Sequence, residues 1–293
     1  MTRDYARTFG QDLMRGEHVV GGGMSKPLAV ARSGDWAGLR AEGIGPGGDC
    51  ATDCVAAGGA KLEGGEQTGT SIFDPVMCEL AYRWFCPPSG VILDPFAGGS
   101  VRGIVASYLG RTYHGVELRE AQVMANLAQR DIAPFPTPHW YVGDSKDIGE
   151  ICGHVAADFI FSCPPYADLE VYSDDPRDLS TMDYAAFVAA YSAIIAASCK
   201  LLKPDRFACF VVGELRDKKG NYRNFVGDTV AAFRAAELHY YNEAILVTAV
   251  GSLPIRTGKQ FTAGRKLGKT HQNILVFVKG DGKKAAQACE AAA

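Results

Sequence analysis

The stretch Val91-Ile92-Leu93-Asp94-Pro95-Phe96-Ala97-Gly98-Gly99-Ser100 decides the fold of this chain. It opens with a short apolar run that indicates a buried strand, and it continues into small residues that favour a tight turn. A helical pattern follows over residues 101–109 and ends at Gly110, a residue type that commonly follows a helix C-terminus. The stretch therefore predicts a strand, a glycine-rich turn and a helix in succession.

The same succession of elements recurs along the rest of the chain. Apolar runs predict further strands at 113–116, 139–142, 158–162, 207–212, 240–247 and 274–279, and helical patterns lie at 75–85, 121–130, 184–202 and 225–235. This alternation predicts a Rossmann-like, doubly wound α/β fold with a mostly parallel sheet and with ligands at the carboxyl ends of the strands. We expect a glycine-rich, loop-rich segment over 1–69, one domain over 70–280 and a flexible tail over 281–293.

Composition narrows the class of protein. The chain has 293 residues, 47% of them hydrophobic, which is enough for one substantial core. Long apolar runs that indicate a membrane span or a secretion signal are missing. The nine cysteines are scattered through predicted helices and strands, which favours reduced thiols and a cytoplasmic location. Cys50 and Cys54 have no nearby third ligand, so we predict no metal site.

Charge is distributed unevenly along the chain. The net charge is −3, but residues 203–279 hold 13 Lys and Arg against 6 Asp and Glu, a balance of +7 that leaves −10 for the rest. A basic region on an acidic body favours a polyanionic partner. Within it we predict a flexible loop over 251–273 that contacts phosphates, although such a loop can equally be solvated. Its candidate nucleic-acid-binding residues are Arg256, Lys259, Arg265, Lys266 and Lys269.

The predicted strand ends carry side chains that suit one kind of cofactor. A carboxylate at Asp94 repels phosphate but suits an ammonium group. Glu117 ends the next strand 23 residues later, a position from which an acidic residue binds ribose hydroxyls. Asp144 and Ser145 follow the third strand and suit an adenine amine. Ammonium, ribose and adenine together describe S-adenosylmethionine.

Two longer stretches resemble a known family. Residues 73–76, a helix, residues 88–100 and residues 109–118 are similar to the contiguous X and I motifs of DNA amino-methyltransferases, with motif IV further along. The resemblance implies a class I methyltransferase fold, S-adenosylmethionine as cofactor and DNA as partner. It departs at Gly98-Gly99-Ser100, where Gly-Ser-Gly is common, and at Asp74, where lysine is frequent. The predicted cofactor-binding residues are Phe73, Asp94, Pro95, Phe96, Ala97, Gly98, Ser100, Glu117, Leu118, Asp144 and Ser145.

The predicted catalytic residues are Ser162-Cys163-Pro164-Pro165-Tyr166, at the end of the fourth strand. An exocyclic base amine is a poor nucleophile and needs acceptors for its protons and a fixed direction of attack. Two prolines fix the backbone so that the carbonyl of Pro164 can accept one proton, and Tyr166 would stack on a flipped base. The family pattern has Asp, Asn or Ser before Pro-Pro-Tyr. Cys163 in that position leaves adenine N6 and cytosine N4 both open.

Other activities fit the same residues. Cys163 as a nucleophile would methylate cytosine C5, which needs a lowered thiol pKa. The scaffold also suits an RNA methyltransferase, or a nucleic-acid-binding module without activity. We expect a DNA base methyltransferase, either alone or in a restriction-modification pair.

An acidic stretch over 168–183 follows the catalytic loop. It resembles a mobile lid, but its charge repels a phosphate backbone. A solvated loop, or one that orders Arg177 internally, is the alternative. Asp183 is placed to cap the following helix.

Overall fold

The computed structural model describes residues 73–167, 171–248 and 253–290, and every structural statement below concerns these residues. Its strands are β1 Val91–Asp94, β2 Thr112–Glu117, β3 His139–Val142, β4 Ala157–Ser162, β5 Leu202–Val212, β6 His239–Val247 and β7 His271–Lys279. Its α-helices are α1 Pro75–Phe85, α2 Val101–Tyr108, α3 Glu120–Ala128, α4 Ile148–Ile151, α5 Tyr184–Leu201, α6 Phe225–Ala235, α7 Leu253–Gly264 and α8 Gly282–Glu290. The predicted segment 1–69 lies outside the described residues.

The strands form one sheet in the order β3-β2-β1-β4-β5-β7-β6. All neighbours pair in parallel except β7, which runs antiparallel to both β5 and β6. This confirms the predicted Rossmann-like, doubly wound sheet of the class I methyltransferase type. The chain winds outward in both directions from the pair β1 and β4, so a crevice opens at the carboxyl ends of these two strands.

Both faces of the sheet are covered. On β4, Ile160 belongs to the core under α5 and α6, whereas Phe159 and Phe161 belong to the core under α1 and α2. Because successive side chains of a strand point to opposite faces, a strand buried on both sides is apolar throughout. The uninterrupted apolar run in β4 is therefore a consequence of its central position.

The helix α5 packs as a core helix of the domain. By length and a mean hydropathy of 1.5 it is also apolar enough to cross a membrane. However, Phe187, Tyr191 and Ile194 are buried in the core between α5, the sheet and α6. Asp183 caps its N-terminus by accepting a hydrogen bond from the Ala186 backbone N–H at 2.9 Å, as predicted.

Two predictions about the C-terminal part are wrong. The flexible tail from 281 is instead the helix α8, which is capped by the Asp281 carboxylate and buries Ala285 completely. Alanine is the best helix former, so an alanine-rich segment that docks on the domain is ordered. The flexible loop over 251–273 contains a twelve-residue helix, α7.

A cluster of three histidines lies on β2, β3 and the turn before β4. The ring of His114 stacks on that of His139 with centroids 5.1 Å apart and contacts His154 edge-on at 5.7 Å. Its Nδ1 lies 2.9 Å from the Tyr141 hydroxyl. Burial, and then the charges of His139 and His154, lower the pKa of His114 to about 4. His114 is therefore neutral in the folded protein well below neutral pH.

We expect this cluster to make the fold acid-sensitive. The pKa of His114 is about 6.5 in the unfolded chain and about 4 in the folded protein, so between these pH values the unfolded chain binds more protons. The contribution of neutral His114 to the free energy of unfolding is therefore fully present above about pH 6.5 and is lost as the pH falls toward about 4. Allowing for partial exposure, the expected loss from His114 is about 1–2 kcal/mol. Urea unfolding at pH 7 and pH 5 measures it. In His114→Asn the loss should be smaller, and an unchanged pH dependence in that variant contradicts the assignment.

Candidate cofactor and substrate site

A cavity of about 430 Å³ opens at the carboxyl ends of β1 to β4. This volume is within the range of small-molecule sites. It brings together residues that are up to 121 positions apart in the sequence, from Phe73 to Ile194. The predicted site residues that line it are Phe73, Pro95, Phe96, Gly98, Ser100, Glu117, Leu118, Asp144, Ser145, Cys163, Pro164 and Pro165.

Asp94 does not line this cavity. Its side chain is fully buried, and its Oδ2 accepts hydrogen bonds from Arg102 Nε at 2.6 Å and from the Tyr113 hydroxyl at 2.7 Å. Its Oδ1 accepts from the Ser162 hydroxyl at 2.6 Å. In this structure the Asp94 carboxylate therefore pairs with the buried Arg102 cation, and its contact with a ligand ammonium group stays a prediction. Ala97, also predicted to bind cofactor, is likewise fully buried.

Arg102, which the sequence analysis missed, organises the glycine-rich loop between β1 and α2. Its Nη2 donates to the carbonyl of Phe96 and, at 2.8 Å, to that of Ala97. Its guanidinium lies 5.1 Å from the centroid of the Phe73 ring. Burial lowers the pKa of Arg102, but the charge of Asp94 and its hydrogen bond, together with the charges of Tyr113 and Cys163, outweigh burial, and the pKa lies above its usual value. The ion pair therefore holds the loop that forms one wall of the cavity.

Glu117 connects the end of β2 to the same loop. Its Oε2 accepts from the Gly98 backbone N–H and its Oε1 from the Arg119 backbone N–H, both at 3.0 Å. Burial raises the pKa of Glu117, and these two N–H groups oppose the rise only in part. A carboxylate held in this way presents a fixed acceptor at the cavity wall.

A row of amide side chains on α3 faces the cavity and was also missed. Gln122 donates to Asn126 at 3.0 Å, and Asn126 donates to the carbonyl of Gly98 at 2.8 Å. One turn further, Gln129 accepts a hydrogen bond from the Ser100 hydroxyl. Residues four apart lie on the same face of a helix. The spacing of Gln122 and Asn126 shortly after Glu117 was therefore the sequence pattern that could have indicated a polar helix face at the cavity.

The end of β3 contributes Asp144 and Ser145. The Asp144 carboxylate accepts from the Lys146 backbone N–H at 2.9 Å and pairs with its ammonium group at 3.1 Å. The Ser145 hydroxyl donates to the carbonyl of Pro95. The ends of β1 and β3 are therefore joined at the cavity, as the parallel sheet predicts.

The loop after β4 faces the cavity only in part. Cys163, Pro164 and Pro165 line it, and Cys163 is half-buried. Ser162 donates to Asp94 and is fully buried outside the cavity lining, so a substrate amine in the cavity does not reach its hydroxyl. Within this loop, the backbone carbonyls are the remaining strong acceptors.

Tyr166 points away from the cavity. Its ring is only 2% exposed and packs edge-to-face on Phe225 with centroids 6.1 Å apart. Its hydroxyl accepts a hydrogen bond from Gln272 Nε2 at 2.9 Å. In this structure Tyr166 is a core residue and does not present the expected stacking surface.

Part of the acidic stretch forms the cavity wall opposite α3. Tyr172, Arg177 and Asp178 line it. The Arg177 Nη2 lies 2.6 Å from the Asp175 Oδ2. Of the interpretations given above for this stretch, the structure from residue 171 onward therefore shows a loop that orders Arg177 internally. Residues 168–170 lie outside the described part.

The predicted nucleic-acid-binding residues lie outside the cavity. Lys259 on α7 and Arg265 are exposed, and Lys266 is partly exposed. Lys269 is half-buried, and burial lowers its pKa. Arg256 lies on α7, and the structure describes its backbone only.

Metal ligands do not cluster in the described part of the chain: no group of three or more His, Cys, Asp or Glu side chains is placed to hold an ion. Cys50 and Cys54 fall outside that part, so the prediction about them stays a prediction.

Comparisons with known proteins find similar solved structures only. No family model and no curated protein matches the chain. Among solved structures, it resembles TrmN from Thermus thermophilus with a TM-score of 0.46 and 13% identity, over 71% of this chain and 49% of that one. The chain thus spans about half the length of TrmN.

Two further solved structures show a similar degree of likeness. Magnesium protoporphyrin IX methyltransferase from Synechocystis PCC 6803, with bound SAM, has a TM-score of 0.42 and 13% identity over 95% of both chains. A SAM-dependent methyltransferase from Methanosarcina mazei has a TM-score of 0.45 and 10% identity, over 67% of this chain and 95% of that one. At TM-scores below 0.5 these likenesses carry no argument about activity, and the fold assignment rests on the strand order.

Proposed function

We propose that this chain is an S-adenosylmethionine-dependent methyltransferase that methylates an exocyclic amine of a DNA base. The observation that carries the proposal is the single cavity in which the glycine-rich loop, Glu117, Asp144 and the Cys163-Pro164-Pro165 loop meet. A cofactor site and a substrate loop that share one cavity allow direct transfer between two bound molecules.

The chemistry of the cavity walls fits this cofactor. The Glu117 carboxylate suits two ribose hydroxyls, and Asp144 with Ser145 suits an adenine amine. When bound, the cofactor supplies a methyl group on a positively charged sulfur, which is already an activated donor. Asp94 acts indirectly, because it fixes Arg102 and through it the carbonyls of the glycine-rich loop.

The substrate side depends on the backbone. Pro164 and Pro165 restrict the loop that borders the cavity, so the carbonyl of Pro164 is held in one direction. A substrate amine whose N–H donates a hydrogen bond to that carbonyl would be held in one orientation beside the cofactor site. Transfer would form the N–C bond, break the S–C bond of the cofactor and release the amine proton to solvent. Ser162 takes no part in this step, since it is fully buried and does not line the cavity.

Nucleic acid as the substrate is supported by the basic residues on the connections that follow β5 and β6, which are Arg216, Lys218, Lys219, Arg223, Arg256, Lys259, Arg265, Lys266 and Lys269. The carboxyl ends of β5 and β6, and the start of β7, lie at the same edge of the sheet as the cavity. Basic residues on connections at the same sheet edge as the cavity suit contacts with the phosphates of a nucleic acid.

The test is to incubate the purified protein with isotope-labelled S-adenosylmethionine and either plasmid DNA or total RNA, and to identify the methylated nucleoside by mass spectrometry. We expect N6-methyladenine or N4-methylcytosine in DNA. Label in RNA alone assigns the RNA alternative, and 5-methylcytosine makes Cys163 the nucleophile. Absence of transfer in a protein that still binds nucleic acid favours the inactive binding module.

Substitution of Cys163 by serine separates the two chemistries. A serine side chain keeps the size of the group beside the cavity but is not a thiolate, so we expect turnover to stay within about tenfold of wild type. Single-turnover methylation measures it, with Cys289→Ser as a matched control because Cys289 is a half-buried thiol remote from the cavity. Complete loss of turnover with intact cofactor binding contradicts amine methylation.

A further inference from the structure

A basic hairpin follows β5 on the edge of the sheet that carries the cavity. Arg216 and Tyr222 pair as an antiparallel bridge. The turn is closed by the Gly220 backbone N–H, which donates to the carbonyl of Asp217 at 2.8 Å, and Gly220 adopts a φ of +91° that suits glycine. The exposed residues at the tip are Lys218 and Lys219.

Two arginine–aromatic pairs lie on this hairpin and on α7. The Arg216 guanidinium lies 3.9 Å from the centroid of Tyr222, and the Arg265 guanidinium lies 5.0 Å from that of Phe261. The two rings are half-exposed, Tyr222 at 49% and Phe261 at 42%. Each pair combines a cation with an aromatic face that is partly open to solvent.

The hairpin and the end of α7 are in contact. Lys266 lies directly on Gly220, so that a Cβ at position 220 would be 2.2 Å from the Lys266 Nζ. The two pairs therefore belong to one surface. We call it the arginine–aromatic surface, and it consists of Arg216, Lys218, Lys219, Tyr222, Phe261, Arg265 and Lys266.

We propose that the arginine–aromatic surface binds an unpaired nucleic-acid strand, with bases stacked on Tyr222 and Phe261 and phosphates held by the surrounding cations. In a duplex the faces of the bases are already stacked on one another, whereas in a single strand they are free to stack on protein rings. Binding of phosphates alone would need the five cations but not the two aromatic rings. Binding of a single strand uses both, because its phosphates contact the cations and its bases stack on the rings. This inference rests on the proposed function and narrows its substrate to DNA that is single-stranded or locally opened.

The test is fluorescence anisotropy with a 20-nucleotide mixed-sequence DNA strand and with the same sequence as a duplex. The double variant Tyr222→Ala/Phe261→Ala should bind the single strand at least about tenfold more weakly, because each stacked base is lost, with little change in the salt dependence. Its duplex affinity should change by less than about threefold. The double variant Tyr222→Phe/Phe261→Tyr keeps both rings and should bind as wild type does.

The matched control is Lys218→Ala/Lys219→Ala, which removes charge at the hairpin tip. It should weaken both DNA forms and lower the salt slope for the single strand by about 1.4, since each phosphate contact contributes about 0.7. Unchanged binding of the single strand by Tyr222→Ala/Phe261→Ala overturns the inference, as does an equal loss for strand and duplex. Absence of binding to either DNA by the wild-type protein overturns it as well.

Failure of this inference and failure of the proposed function are distinguishable. Cofactor binding and methyl transfer are measured on the same proteins. If wild type and Tyr222→Ala/Phe261→Ala methylate a single-stranded substrate equally well, the inference is overturned and the proposed function stands. If the wild-type protein transfers no methyl group but binds the single strand, and Tyr222→Ala/Phe261→Ala loses this binding, the inference about the surface is supported and the proposed function is rejected.

Discussion

Asp94→Ala is expected to lower the free energy of unfolding by about 3–5 kcal/mol, because it leaves a buried charge without its partner. Arg102 is 5% exposed and donates to the Asp94 carboxylate at 2.6 Å. Tyr113 and Ser162 lose the same acceptor. Against a total of about 5–15 kcal/mol for a typical domain, this change removes a large share of the stability. Urea unfolding at pH 7 measures it.

The double variant Asp94→Ala/Arg102→Met shows how much of the loss in the free energy of unfolding comes from leaving the Arg102 cation buried and unpaired. With both charges removed, the interior no longer holds an uncompensated cation, so part of the lost stability should return. Asp175→Ala is the control, because the pair between Asp175 and Arg177 is exposed to solvent and contributes little. An Asp94→Ala protein as stable as wild type would show that the ion pair does not support the loop.

Tyr166→Ala is expected to destabilise the fold by about 3–5 kcal/mol, as large-to-small changes of buried aromatic residues do. The ring is 2% exposed and packs on Phe225. Tyr166→Phe keeps the ring and loses the hydrogen bond from Gln272, which should cost about 1 kcal/mol. Thermal and urea unfolding of both variants measure the difference.

The same two variants test the role of this residue in turnover. Because the Tyr166 ring does not line the cavity, we expect folded Tyr166→Phe to transfer methyl groups at nearly the wild-type rate. A loss of more than about a hundredfold in turnover, with the fold and cofactor binding intact, means that the ring turns toward the substrate during the reaction.

The regular elements were predictable where local patterns are strong. Helix α6 was predicted with its observed bounds, Phe225–Ala235, and β3 with its bounds, His139–Val142. The departure at Asp74 also has a local reason, since its carboxylate caps α1 through the backbone N–H of Val76 at 2.8 Å. Helices α7 and α8 were missed because α7 contains Gly258 and Gly264, which disfavour a helix, and because α8 is short and has few large apolar residues.

The candidate site was predictable in its location and less so in its roles. Most residues assigned to the cofactor line one cavity, because strand ends in a parallel sheet meet at one edge. Arg102 and the amide row on α3 were missed, since neither forms a motif that is readable without its partners.

The sequence by itself determined where the glycine-rich turn, Glu117 and the two prolines stand relative to the strands. These features depend on neighbouring residues, through apolar runs, small residues and restricted backbone angles. Only the tertiary structure decided which way the side chains at the strand ends face. Asp94 turns inward because Arg102, Tyr113 and Ser162 converge on it from three other elements. Tyr166 turns inward because Gln272, 106 residues away, provides the partner for its hydroxyl. A buried polar group adopts the direction in which its hydrogen bonds are satisfied, and those partners come from distant parts of the chain.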